Sequence, residues 1–355
     1  MTLTGTITLK GGEIIEISDA SLVNNSLSGT MSTCSASSFD IGTFNAATLQ
    51  MKIYDDDALD HEFDGAEISL SILSESEEGI VTTPIGIYFV DGSKTKRQKN
   101  IVQLYAQDAT SKFDVEIGET IKGASYTAHN AIQAACETAG VTLATTSFSE
   151  FPNNSVVFTP SSASVQTLRD LVMWCAQLLC TNAVINRNGE LEIRRARYVA
   201  EGGAGSSIIA DYESDGSDRV NITFSDVRTY IKYLSAYSGN TPKEYDSGVD
   251  PSDAQARQGS LSLLKNPIVE NLSTEVQDAV NEAFLEYVDN FAPRNVKAQM
   301  FFKPTIELGN TIRFSGGKVD VRRTIIGVVT GISWRYHGLM TVYCSAPQAV
   351  KAVTT

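Results

Sequence analysis

Residues 164–195 constrain the fold of this chain more than any other stretch, because two different periodicities follow one another within them. Leu168, Leu171, Val172, Cys175, Leu178 and Leu179 recur at three- and four-residue spacing, which predicts one apolar helix face. Ser164 or Thr167 can cap its start. Two runs, 183–187 and 190–194, then flank Asn188-Gly189, a dipeptide that accepts positive φ at both turn positions and marks a hairpin. A two-residue loop would place Val184 opposite Ile193 and Arg187 opposite Glu190. A helix feeding a tight hairpin is a rigid α/β module. It carries no evident nucleophile, metal ligand or phosphate cradle, and so points to architecture rather than catalysis.

Around this module the pattern is β. Leu49, Met51 and Ile53 alternate with Gln50 and Lys52, and Ile68, Leu70 and Ile72 alternate with serines. Runs at 85–90 and 101–105 follow, joined by the basic tip Lys94-Thr95-Lys96-Arg97-Gln98-Lys99, which reads as the solvated end of a hairpin. Lys10-Gly11-Gly12 and Asp91-Gly92 punctuate the runs as turns, and short strands at this spacing suit a small barrel or sandwich over 1–111. Between 112 and 200 the character changes. Ala128, Ala131, Ile132, Ala135, Cys136 and Ala139 define a helix stopped by Gly140, and 156–158 reads as a short strand before the module above. Glycines at 202, 203 and 205 make a joint.

Alternation resumes at Val220, Ile222 and Phe224 and continues through 230–237; the polar stretch 238–258 reads as an exposed loop. Ser273 or Thr274 caps a helix bearing Val276, Val280, Phe284 and Val288, which ends before Pro293. Further strands are expected at 296–302, 306–314, 324–334 and 339–344. The expected organisation is therefore α+β and mainly β: a first β unit at 1–111, an α/β unit at 112–200, a second β unit built from 208–240 plus 295–348, and a helical insertion at 241–294.

Composition excludes some functions. With 355 residues, 42% hydrophobic and 20% charged, the chain can build several ordered cores. No apolar run approaches the roughly 20 residues that span a bilayer, and Met1-Thr2-Leu3-Thr4-Gly5 does not open a secretory signal, so no membrane anchor and cytoplasmic assembly are expected. The five cysteines (Cys34, Cys136, Cys175, Cys180, Cys344) form no CxxC pair and His61, His129 and His337 are isolated in sequence, which argues against structural zinc. A net charge of −14 opposes binding to phosphate backbones. Ten acidic residues and no Lys or Arg lie between Asp55 and Glu78. That run reads as a solvated edge, or as a surface that must not stick to nucleic acid.

Several catalytic patterns fail on their own chemistry. Residues 211–218 resemble the opening of a calcium loop, but Ile222 stands where a bidentate Glu is required. Asp55-Asp56-Asp57 with Glu62 or Asp64 lacks the apolar walls that would raise one carboxyl for glycosidase work. The serines at 32–38 lack GxSxG, and the glycines at 202–205 do not lead a strand into a capped helix. Trp174 and Trp334 suit cores or interfaces. No catalytic, cofactor or metal site is expected.

Taken in order, four places resemble a bacteriophage tail (baseplate) hub protein of the kind found in phages and prophages of Gram-positive hosts. They are 38–49, the helix at 126–141, Thr167-Leu168-Arg169-Asp170-Leu171 running into 186–191, and Ile306-Glu307-Leu308-Gly309-Asn310-Thr311-Ile312 followed by 332–336. The resemblance implies two tube-like antiparallel β-barrels flanking the α/β unit. It also implies a homotrimer whose pseudo-sixfold ring joins the hexameric tail tube, or a distal tail protein, to a central spike or tip. Other baseplate proteins would surround it, DNA would cross the lumen only in transit, and the location would be the virion. Asp55, Asp56, Asp57 and Glu67 are then expected to face the lumen. The alternatives are a tail-associated cell-wall hydrolase or peptidase and a host carbohydrate-binding module.

Overall fold

The computed structural model describes residues 1–33, 40–55, 61–76, 79–160, 165–195, 208–214, 221–224, 228–239, 241–246, 256–263, 266–288, 294–316, 323–346 and 349–351. The fold is α+β and mainly β, as the alternation predicts. The first unit holds β1 (Thr2–Thr8), β2 (Ile14–Ser18), β3 (Ser28–Ser32), β4 (Thr48–Tyr54), β5 (Glu67–Ser76), β6 (Gly79–Val90), β7 (Lys96–Gln98) and β8 (Ile101–Gln107). Side chains two apart point the same way, so Leu49, Met51 and Ile53 of β4 and Ile68, Leu70 and Ile72 of β5 all turn inward and are buried. The path β4-β8-β6-β5-β1-β2 curls back on itself, and a bridge from Leu22 to Ile53 returns the chain to β4.

The middle of the chain supplies α1 (Glu119–Lys122), β9 (Tyr126–Thr127), α2 (Ala128–Ala139), β10 (Val157–Phe158), α3 (Leu168–Leu178), β11 (Thr181–Ile185) and β12 (Leu191–Arg195). Thr167 is the cap of α3: its hydroxyl accepts from the Asp170 amide at 3.1 Å, and Asp170 accepts in return from the Thr167 amide at 3.0 Å. Gly140 ends α2 in the left-handed region. The apolar faces of α2 and α3 close one core with Phe113, Phe148, Leu191 and Ile193. The hairpin forms one residue out of the expected register. Ala183, not Val184, lies opposite Ile193, and Ile185 lies opposite Leu191. The reason is Asn186, whose Oδ1 accepts from the amides of Asn188 and Glu190 at 2.9 and 3.0 Å. This stabilises a three-residue loop in which, of the two turn residues, only Gly189 has positive φ.

The remainder comprises β13 (Ile208–Ser214), β14 (Asn221–Phe224), β15 (Arg228–Ser238), β16 (Thr241–Asp246), β17 (Ala256–Ser262), α4 (Pro267–Glu270), α5 (Thr274–Val288), β18 (Arg294–Phe301), β19 (Thr311–Gly316), β20 (Arg323–Arg335), β21 (Leu339–Ala346) and β22 (Ala349–Lys351). Two expectations are corrected here. The polar stretch 238–258 is not simply a loop: β16 and the start of β17 lie in it and flank β15 in a separate three-stranded sheet. β16 is an exposed edge, where Pro242 and charged side chains are tolerated, so its polarity concealed it. The strand expected at 306–314 begins only at Thr311, because Asn310 Oδ1 caps the Glu307 amide at 2.6 Å and Gly309 adopts positive φ, folding 302–310 into turns. The short helix α4, capped by Asn266, was not anticipated.

The two β units meet edge to edge. β20 pairs with β21 along one edge, and on the other it takes β19 near its start and β3 near its end, changing course at a bulge between Val329 and Gly331. One sheet therefore runs β14-β18-β21-β20-β3-β4-β8-β6-β5-β1-β2 through both units. Beneath it a single core contains Leu3, Leu49 and Leu104 from the first unit and Val296, Trp334 and Val342 from the second. Each such side chain contributes roughly 1.5–3 kcal/mol when fully buried. Among the described residues no helix is long and apolar enough to cross a membrane.

Candidate functional site

Three polar assemblies stand out against this apolar frame. The first lies where the acidic segment leaves β4. Asp55 is buried and accepts from Arg97 Nη2 at 2.7 Å, and its other oxygen contacts His61 Nδ1 at 2.8 Å. Arg97 also donates to the His61 carbonyl at 3.3 Å, while His61 Nε2 faces Glu13 at 3.3 Å. The hydrogen bond to Asp55, with smaller contributions from the Asp55 and Glu13 charges, raises the His61 pKa against the opposing effect of burial. The basic tip is exposed as expected, but Arg97 reaches back from β7 to Asp55 and to His61, a histidine isolated in sequence that the fold gives two partners. Asp56 and Asp57 lie outside the described residues. Glu67 opens β5, half-buried and opposite both Thr8 and Phe89. Asp64 is held below the ordinary carboxylate range by Lys10 and the Gly92 amide.

The second assembly joins the three units. Arg187, from the β11–β12 loop, donates to the Ile306 carbonyl at 2.6 Å and faces Glu307 at 3.4 Å. Arg194 forks onto Glu192 at 2.8 and 2.9 Å and approaches Glu307 at 3.7 Å. Burial lowers the Arg187 pKa, and the Glu307 charge opposes that shift. Beside this pair a cavity of about 20 Å³ is lined by Met31, Gly86, Tyr88, Asp108, Arg187 and Leu308. That is room for about one water, too little for a sugar or peptide substrate. Asp108 fixes the first unit's side of this wall, accepting from the Ala47 amide at 3.0 Å and from the Thr110 amide at 3.1 Å.

The third is a groove of about 340 Å³ between β10 and the helices α4 and α5, lined by Val157, Phe158, Ile268, Leu272 and Val276 with neutral polar neighbours. Among the described residues, no charged group and no Trp or Tyr lines it. Among the described residues the four cysteines, Cys136, Cys175, Cys180 and Cys344, are buried, and desolvation pushes the Cys136 thiol up to about 12. Among the described residues no cluster of His, Cys, Asp and Glu is arranged to hold a metal. Asp211 and Glu213 of the supposed calcium loop belong to β13, paired with β19, and Ile222 belongs to β14. Residues 34–39, 201–207 and 215–220, which carry other candidate motifs, lie outside the described residues.

Nothing in the local sequence signals the partners of Arg97, Arg187 and Glu307. Each matters through a partner brought close by the fold.

No family model matches the chain, and no curated protein matches it by sequence. Solved structures do match it in fold. The 43 kDa tail protein of prophage MuSo2 from Shewanella oneidensis aligns at TM-score 0.57 and 12% identity, covering 99% of each chain. A tail protein from Neisseria meningitidis aligns at TM-score 0.59 and 10% identity, covering 98% of this chain and 97% of that one. The prophage tail protein gp18 from Listeria monocytogenes aligns at TM-score 0.54 and 10% identity, covering 97% and 94%. At these identities the likeness is one of fold, and it extends over whole chains.

Proposed function

We propose that the chain is a structural tail component, the hub of a phage-type tail or baseplate. The observation that carries this reading is the end-to-end fold correspondence with three tail proteins, covering at least 94% of both chains in every case. The hub is a homotrimer. Each copy contributes its 1–111 unit and its 208–240 plus 295–348 unit, so three copies present six β units to a hexameric tail tube or distal tail protein. The opposite face holds a central spike or tip, with other baseplate proteins around it. The fusion of both units through β3 and β20 supports this geometry, because it fixes their spacing without a flexible linker. The matching folds come from Shewanella, Neisseria and Listeria, so nothing in the likeness restricts the host to the Gram-positive group.

DNA passes the ring only in transit, and a lumen that repels phosphate serves that passage. In this reading Asp56, Asp57 and Glu67 carry the lumen charge. Asp55, paired with Arg97, anchors the segment instead of adding free charge. Assembly in the host cytoplasm precedes location in the virion, and no catalytic step is assigned. Antibody-labelled electron microscopy of purified particles tests the reading: label at the tail end is expected, and unlabelled particles would overturn it. Zymography on peptidoglycan and a glycan array separate the hydrolase and carbohydrate-binding alternatives. The hub gives neither clearing nor binding.

A further inference from the structure

The β5–β6 hairpin outruns the sheet that supports it. β1 leaves β5 at Leu73, and β8 pairs with β6 only at Phe89 and Val90. Residues 74–76 and 80–83 therefore project as a two-stranded arm, and the outer edge of β6 over 80–84 has no partner strand among the described residues. By register, Ile80 shares a face with Glu75 and Val81 shares the other with Ser74. Ile80 is 72% exposed and Val81 46% exposed, so the arm shows apolar side chains on both faces. A bare two-stranded ribbon is marginal in water, and an edge without lysines is a pairing template, here as far as the register shift that β6 makes between Pro84 and Gly86. Pro84, lacking an N–H, ends the usable edge.

A complementary edge exists on the same chain. β7 pairs with β8 along one side only, and all three of its residues are exposed. Lys96 and the neighbouring Lys99 have no acidic partner among the described residues, whereas Lys94 pairs with Asp91 and Arg97 with Asp55. The arm is acidic, with Glu75 exposed and Glu77 and Glu78 next in sequence. β6 and β8 run antiparallel from their shared pair at Phe89 and Gln107, so the arm and the β7 edge leave the sheet in opposite directions. Within one copy they cannot meet.

We propose that the arm of one copy docks on the β7 edge of a second copy, strand to strand, with Glu75 facing Lys96 and Lys99 and with Ile80 and Val81 covered by the neighbour. The contact is heterologous, so it propagates from copy to copy and closes where the rotation allows. It rests on the ring described above for its closure at three copies, but not for its existence.

The test is the mass of the full chain in solution by light scattering, across concentration, for the native sequence and for Ile80→Asp, Glu75→Lys, Lys96→Glu with Lys99→Glu, and the three charge changes together. These positions are exposed, so circular dichroism should remain native. The native chain should exceed its 38.3 kDa monomer mass. Ile80→Asp should raise the concentration for half-association at least tenfold, each one-sided charge reversal should weaken association, and the combined swap should restore it. A chain monomeric up to about 100 µM, or association indifferent to Ile80→Asp, overturns the proposal. Particle labelling reports separately on the tail reading: labelled particles with an indifferent arm would sink this contact alone.

Discussion

Asp108 holds two backbone amides from inside the core, and burial pushes its carboxyl up to about 6 despite those bonds. The folded state thus binds this proton more tightly than the unfolded chain does. The stability linked to it is complete below the ordinary carboxylate value of ~4 and is lost as pH rises through about 6. The difference from the unfolded value corresponds to roughly 3 kcal/mol as an order of magnitude. Asp108→Asn cannot titrate and points an N–H toward either the Ala47 or the Thr110 amide. Urea unfolding from pH 4 to 7 should show a flatter slope for the variant and an overall loss of about 1–3 kcal/mol; an unchanged slope would contradict this assignment. His61 works in the same direction, since its raised pKa adds stability below its ordinary 6.5 that is lost as pH climbs through the raised value. Arg97→Ala leaves the Asp55 carboxylate buried beside His61 alone. Because Arg97 is itself 27% exposed, the expected cost is about 1–3 kcal/mol by thermal melting, below that of a fully buried pair.

At the scale of elements, what the sequence makes legible depends on how local the determinant is. The left-handed stop of α2 lies within a few residues and could be read directly, whereas the cap of α3 narrows only to Ser164 or Thr167 on sequence alone. Thr167→Ala should cost about 1 kcal/mol in denaturant unfolding. Gly189→Ala should cost a further ~1–2 kcal/mol for the left-handed turn residue. The hairpin register departs from a two-residue loop because Asn188-Gly189 signals a turn without fixing its length; the Asn186 side chain does that. β16 escapes a periodicity reading because an exposed edge strand carries no apolar stripe. The joint at Arg187 was beyond local reading, since its partner carbonyl lies 119 residues away in sequence.

Across the whole molecule, the shared sheet and core predict that the two β units do not unfold separately. Gly29 sits under Trp334 at the seam: a Cβ there would lie 2.6 Å from the indole ring. Gly29→Ala should therefore destabilise both units together by about 1–3 kcal/mol, seen as a downward shift of the calorimetric transition that contains them; a shift confined to one of two separate transitions would mean the units melt independently. The most direct measurement is a cryo-electron reconstruction of the tail end of particles carrying this chain. It should show three copies whose six β units sit beneath the sixfold tube. Copies in any other number, or density for the chain away from the tube's end, would contradict it.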